Sequence, residues 1–482
     1  MSDAAIAMNR FGLGARPDDA LPRQPRSWLI EQLSLYRPHP AALADAPSSR
    51  TVAAGLADYQ AQRRTMQQDR RRSDIDSPAM ADAAPINPQP AASEDMKAAR
   101  QFARRQARDD YGVLVGARAM AALTTPAPFV ERLVHFWANH FAVSADKLTV
   151  VGLAGTLEME AIRPHVLGNF ADMLGAVERH SAMLLYLDQA VSIGPDSPFG
   201  RRVAQRGKRK AGLNENLARE ILELHTLGVR TGYTQTDVTE FARAMTGWTV
   251  AGLGRGGNRA GGEPGDFLFA PALHEPGART IMGRTYPDGG EAQAQAVLTD
   301  VAASPATAAH LATKLARHFA GDTPPPAMVA RLTAAYLSSG GDLPTVYRAI
   351  IASPEAWVDT PVKFKTPWEW TISSFRALGM KQVQPQAVVG LLNQLGQPVW
   401  KPGQPVGYDD IAGSWAGPDA IMRRVEAADR MAARAPETDA RALGTQLFPA
   451  ALSPATAQSV ARAESPGQAL ALLLVSPEMM RR

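Results

Sequence analysis

The sequence has 482 residues, with 51 Lys and Arg against 47 Asp and Glu for a formal net charge of +4, and it contains no cysteine. A balance this near neutral makes no case for nucleic acid as a partner, and the missing thiols exclude disulfides, cysteine nucleophiles, iron–sulfur ligation and cysteine-based zinc sites. No apolar run reaches the roughly 18 residues of a membrane-spanning helix.

The opening MSDAAIAMNRFGLGARP has no uninterrupted apolar core between a basic region and a cleavage site, so it does not read as a secretion signal. The chain as written is expected in the cytoplasm, and in the periplasm or outside the cell if a leader has been removed. Helical periodicity predicts helices over 26–37 and 55–72. Pro78, Pro85, Pro88 and Pro90 then mark a linker over 78–92. A long Arg-rich helix resumes near Ser93, and helices follow over 128–142, 145–167 and 169–186. Residues 195–211 read as a mobile loop carrying Arg201, Arg202, Arg206, Lys208, Arg209 and Lys210, a place for an anionic ligand.

The densest stretch is GLNENLAREILELHTLGVRTGYTQTDVTEFARAMTGW, residues 212–248. Asn214 can cap a helix that stops near Gly228, and Thr234 with Asp237 can cap the next. On the first helix Asn216, Glu220 and Glu223 share a face, while His225 falls in the opposite apolar arc. Glu220 and Glu223 read as ligands, as a solvated face with an Arg219–Glu223 ion pair, or as members of a buried structural network. His225 reads as a hydrogen-bonded core histidine, Asn216 as an inter-helix tie, and Trp248 as a core or loop anchor.

Phe267–Phe269 and Thr280–Met282 are extended segments expected to form one small hairpin. Helices return over 291–303, 306–319, 327–338, 343–352, 367–378 and 385–395. A long Gly/Pro/Trp-rich loop spans 396–417, and helices follow over 418–435, 438–446, 453–463 and 467–475. The expected fold is predominantly α, an extended multi-helix body with long loops. Its expected regions are 1–77, the linker 78–92, a main domain 93–380, and a C-terminal helical region 381–482 packed on it.

Two further groups carry possible chemistry. His135 and Asn139 share a helix face and could meet Glu220 or Glu223 across a helix pair or form a buried polar cluster that fixes helix register, whereas His140 points about 140° away. His274 and Glu275 lie in a loop, where binding groups often sit. Phosphate-cradling glycine motifs and a G-x-S-x-G elbow are absent.

Several stretches resemble the bacterial domain of unknown function 1800 family: HFWANHFAVS at 135–144, YLDQAVSIGPDS at 186–197, GLNENLARE at 212–220, ATAAHLATKLARHF at 306–319 and KFKTPWEW at 363–370. That resemblance implies a mostly helical protein, often made with an export signal, and carries no settled activity. The chain departs from it by lacking such a leader, by having His274-Glu275 in place of a His-Asp pair, and by its basic loop.

The leading functional expectation is a hydrolase-like enzyme assisted by a divalent metal. His135, Glu220, Glu223 and His274 would supply ligands or a general base, and the metal would acidify a bound water. This expectation rests on those four residues converging from separate segments. The alternative is a non-enzymatic binding or assembly protein for an exported or cell-envelope partner. It would use the basic loop or the loops bearing tryptophan, with Trp137, Trp248, Trp400 and Trp415 able to line a groove.

Overall fold

The computed structural model describes residues 2–76, 91–205, 212–255, 261–449 and 451–482. Helix accounts for 62% of it and strand for 4%, which places the chain in the predominantly α class that its periodicity predicts. Much of the punctuation is written locally. Ser304, Thr366, Ser453, Ser465 and Ser476 each cap a helix by accepting a backbone N–H, and each is followed by proline at the first helical position. A proline there gives up a donor that would be unpaired anyway and sets φ for the helix.

The first long pair of helices, Ser49–Asp76 and Ala91–Thr124, pack against each other and extend beyond the predicted 55–72 and Ser93 limits. Most of the expected linker falls on residues 77–90, outside the described residues. The expected loop 195–211 is corrected in part. Pro198–Gln205 is a helix with Arg201 and Arg202 exposed on it, and the other four bases lie outside the described residues.

The single expected hairpin is also corrected. Strand β1 (Trp248–Val250) pairs antiparallel with β2 (Phe267–Phe269), and β3 (Arg279–Ile281) pairs antiparallel with β4 (Arg284–Tyr286). The turn between β3 and β4 holds Met282 and Gly283, at φ 50° and 77°. Positive φ at both central residues suits the right-handed twist of a two-residue hairpin, so β3 closes on its immediate neighbour. The β-branched and aromatic Trp248-Thr249-Val250 run, fully buried, takes β2 instead.

One apolar cluster runs from Ile6 to Trp400, and Phe11, Phe129, Phe319 and Trp357 meet in it. A second joins Met8 and Ala15 to residues from Phe364 to Met480. Buried arginines tie the N-terminal segment to distant chain. Arg10 donates to the carbonyls of Ala356, Val358 and Thr360, and Arg376 donates to the carbonyl of Gly14. Arg132 donates to the carbonyl of Gly12. Backbone carbonyls left over at helix ends thus find charged donors rather than water.

Candidate active site

Helices Pro128–His140, Pro305–Ala320 and Pro367–Ala377, with the loop around 397–410, enclose a cleft of about 190 Å³. That volume lies below the usual range for drug-sized pockets and suits a small molecule or one end of a larger one. Its apolar wall includes Phe136, Val143, Trp368, Val399 and Trp400. Its polar wall includes Arg118, Arg132, Lys314, Arg317, His318, Glu369 and Asp410.

Trp400 is held in an unusual conformation. Its φ of 47° lies in the left-handed region, its indole N–H donates to Glu158 Oε2 at 2.9 Å, and a Cβ on Gly155 would stand 2.6 Å from its ring. Arg118 binds the same Glu158 oxygen at 2.8 Å and lies over the rings of Trp368 and Trp400 at 4.2 and 5.3 Å. A bulky residue forced into left-handed backbone costs energy and persists where its surroundings over-determine it, a pattern that gathers at functional sites. The loop is clamped as well: Asn139 donates to the Tyr408 carbonyl and accepts from its N–H, both at 2.8 Å.

Most charges in this wall are matched. Glu369 is bound by Arg132 and by Arg482, the latter at 2.9 Å, and although burial opposes its ionisation these guanidinium groups hold its carboxyl well below the usual range. Asp410 takes the His318 Nδ1–H at 2.7 Å and Lys363 Nζ at 3.1 Å. The other ring nitrogen of His318 faces Arg132 and Arg482, each 3.5 Å away. Burial foremost, with those guanidinium groups, pushes the His318 pKa down to about 4, so the ring is neutral at pH 7.

Lys314 and Arg317 differ. Among the described residues neither has a carboxylate within ion-pair distance, and the buried Nε of Arg317 has no hydrogen-bond partner. Lys314 Nζ donates to His140 Nδ1 at 2.8 Å. His140 is buried, and its Nε2–H donates to the His225 carbonyl at 3.1 Å. Burial pushes the Lys314 pKa down to about 8, with Arg317 adding to the effect and Asp410 opposing it. An amine, a guanidinium and an apolar wall therefore face one half-open cleft.

The residues expected from the sequence are scattered. His135 lines the cleft, but its Nδ1 accepts the Trp368 indole N–H at 3.1 Å and its Nε2 faces Glu131 at 3.5 Å. Asn139 holds the loop rather than meeting a glutamate. Glu220 and Glu223 do not line the cleft. Glu220 is half-buried, and burial raises its pKa, while Glu223 pairs with Arg219 at 3.4 Å on its own helix. Asn216 is exposed, and among the described residues its side chain ties no helices together. Its N–H donates to Asn214 Oδ1 at 2.8 Å, so Asn214 caps as expected, from one residue before the helix's N-cap position at Glu215.

His274 is elsewhere, donating from Nδ1 to the Thr246 carbonyl at 2.8 Å, and Glu275 Oε2 accepts the Asp196 N–H at 2.7 Å. Among the described residues no group of three or more His, Asp or Glu side chains is arranged to hold a metal ion, so the expected ligand set of His135, Glu220, Glu223 and His274 does not assemble. The structural readings fare better. His225 is fully buried with Nδ1 on Glu178 Oε1 at 2.8 Å, Asp237 completes a capping box with Thr234, and Trp248 is a buried anchor on β1. Of the four tryptophans considered as groove lining, Trp400 lines the cleft.

Sequence reasoning passed over Lys314, Arg317, His318, Trp368 and Glu369. A signal was present: Lys314, Arg317 and His318 follow i, i+3, i+4 spacing and therefore share one helix face. Among the described residues no helix is long and apolar enough to cross a membrane. Comparison with curated proteins and with solved structures gave no match. Residues 6–481 match the family model described as protein of unknown function (DUF1800), and the chain belongs to that family.

Proposed function

We propose that the chain is a small-molecule enzyme whose active site is this cleft, that its substrate is anionic, and that Lys314 and His140 handle its protons. One observation carries this reading: among the described residues the cleft's two half-buried cations, Lys314 and Arg317, have no carboxylate within ion-pair distance, while its buried charges are paired. A substrate carboxylate or phosphate supplies the missing charge, and charge-assisted bonds in a desolvated cleft are the strong ones. The substrate's apolar body would lie against Phe136 and Trp368.

Calorimetric titration with small carboxylates, phosphate esters and their neutral isosteres tests this. Anions should bind and neutral isosteres should not, and Arg317→Met should weaken anion binding by roughly tenfold or more, the scale of one lost charged hydrogen bond. Equal binding of neutral and anionic compounds, or an unchanged affinity in Arg317→Met, would overturn the reading.

A binding or assembly role has a separate observation behind it. Ile421, Met422 and Val425 form an exposed apolar stripe, Met422 being 56% exposed. Native mass spectrometry showing a stable complex that Met422→Glu abolishes would favour that role.

A further inference from the structure

We propose that Lys314 is a covalent nucleophile whose amine condenses with the carbonyl of a short 2-oxo acid while Arg317 holds that acid's carboxylate. The proposal rests on the anion-binding reading of the cleft and extends it to a reaction.

The geometry begins at a buried chain of contacts. Glu178 and His225 are both fully buried and meet at 2.8 Å, which fixes the His225 ring. The π-helical turn Ile221–His225 ends there, and the His225 carbonyl accepts the Nε2–H of His140. His140 is thereby fixed with a lone pair on Nδ1, and that lone pair takes one N–H of Lys314 at 2.8 Å. A neutral amine that donates one hydrogen to His140 keeps its own lone pair directed away from that ring. Among the described residues no carboxylate lies within ion-pair distance of Lys314; burial foremost disfavours its ammonium, the more distant Asp410 favours it, and Arg317 opposes it. Desolvation and a neighbouring cation are the two conditions under which a lysine amine becomes nucleophilic at neutral pH.

The spacing selects the substrate class. Lys314 and Arg317 are three residues apart on one helix, so their Cβ atoms stand roughly 5–6 Å apart on the same face. A molecule that meets both groups carries its carbonyl close to its carboxylate, as a 2-oxo acid does. In the reaction the amine lone pair forms a C–N bond to the carbonyl carbon, and the C=O π pair moves to oxygen. The C–O bond then breaks, and the oxygen leaves as water with the two amine hydrogens. His140 Nδ1 is positioned to relay the first of them. No electrons are gained or lost overall, and the product is an imine between Lys314 and the acid.

The test uses the full chain, pyruvate, and sodium borohydride as the trapping reductant at pH 8. At that pH an amine titrating at about 8 offers on the order of 100-fold more neutral form than an ordinary surface lysine. The expected result is a mass gain of one reduced pyruvate per chain, mapped by peptide digestion to Lys314. It should be absent with lactate, absent in Lys314→Arg, and retained in Lys401→Arg, an exposed lysine that pairs with Asp146 and does not line the cleft. Circular dichroism of Lys314→Arg shows whether that variant is folded, and wild-type peptide mapping supplies an assignment independent of it. Label spread evenly over surface lysines would overturn the proposal. Binding of both pyruvate and lactate, weakened in Arg317→Met but with no trapped adduct, would end the covalent step and leave the anion site standing. Failure of both acids to bind would overturn this proposal, and the reading beneath it falls as well if phosphate esters also fail to bind.

Discussion

Two helices of this protein carry polar groups at the spacing that shares a face, and they end in different circumstances. Asn216, Glu220 and Glu223 on one stand at or near the surface, where Glu223 finds its partner within its own helix. Lys314, Arg317 and His318 on the other line a cleft beneath the loop around 397–410. Periodicity is alike in the two, so what separates them is cover. Enclosure removes the water that would otherwise satisfy each charge, and charges so deprived must be paired or must await a ligand. The helices also touch: His310 Nε2 meets the Leu224 carbonyl at 3.2 Å, and His140, from a third helix, bridges the His225 carbonyl to Lys314. The segment richest in recognisable signals is thus the wall behind the candidate site.

The sharpest way to break this contrast is to remove a charge from each side. Glu369→Ala strands the buried Arg132 and Arg482 and should destabilise the fold by about 3–5 kcal/mol in urea unfolding. A cost no larger than that of a surface substitution would show that the cleft charges are solvated after all.

Acid should act on the enclosed side in a defined window. His318 titrates near 4 in the fold against an ordinary 6.5, so between those values the unfolded chain takes a proton that the folded chain refuses. Stability contributed by His318 is complete above about 6.5 and is lost as pH falls toward 4, with a ceiling of roughly 3 kcal/mol. His318→Gln should flatten the difference in unfolding free energy between pH 7 and pH 4.5, and an unchanged slope would count against a neutral buried ring.

A third measurement lies on the exposed side. Asp237 caps its own helix with Thr234 and also accepts the Met282 N–H at 2.6 Å. Asp237→Ala should cost about 1–2 kcal/mol, the scale of a lost cap. Smallest of all, Glu220→Gln should leave stability within about 0.5 kcal/mol, on the stabilising side, since burial foremost already disfavours the ionised carboxyl. A loss of several kcal/mol there would restore Glu220 to a buried network.

Local physics explains which parts of this were legible. Helix starts at Ser-Pro and Thr-Pro steps, the Thr234–Asp237 box and a histidine amid leucines depend on near neighbours, so the sequence displays them. The hairpins were half legible, because the Trp248–Val250 partner of β2 is not adjacent in sequence, whereas β3 turns directly into β4. The cleft was not legible as a whole. Arg132 and Glu369 lie 237 positions apart, and only the tertiary fold decides that their helices face each other. The shared face of Lys314, Arg317 and His318 nevertheless follows from the same helical periodicity that groups Glu220 with Glu223.

The buried arginines near the N-terminus have a consequence in time. Arg376 reaches the Gly14 carbonyl across 362 positions, and Arg10 reaches Ala356 across 346. At synthesis rates of about 5–20 residues per second, residue 376 emerges roughly 20–70 s after residue 14. Through that interval Arg10 and the Gly14 carbonyl wait for their native partners, and Phe11 has Phe129 beside it but lacks Phe319 and Trp357 for most of that time. Closure across such distances is slow even once the chain is free, because the loop entropy is spent before the contact forms. Helical hairpins such as Ser49–Asp76 with Ala91–Thr124 can fold as they appear, whereas the cleft waits for both halves. The newborn chain should therefore depend on holdase chaperones during synthesis, even though the finished protein is built mainly of fast-forming helices.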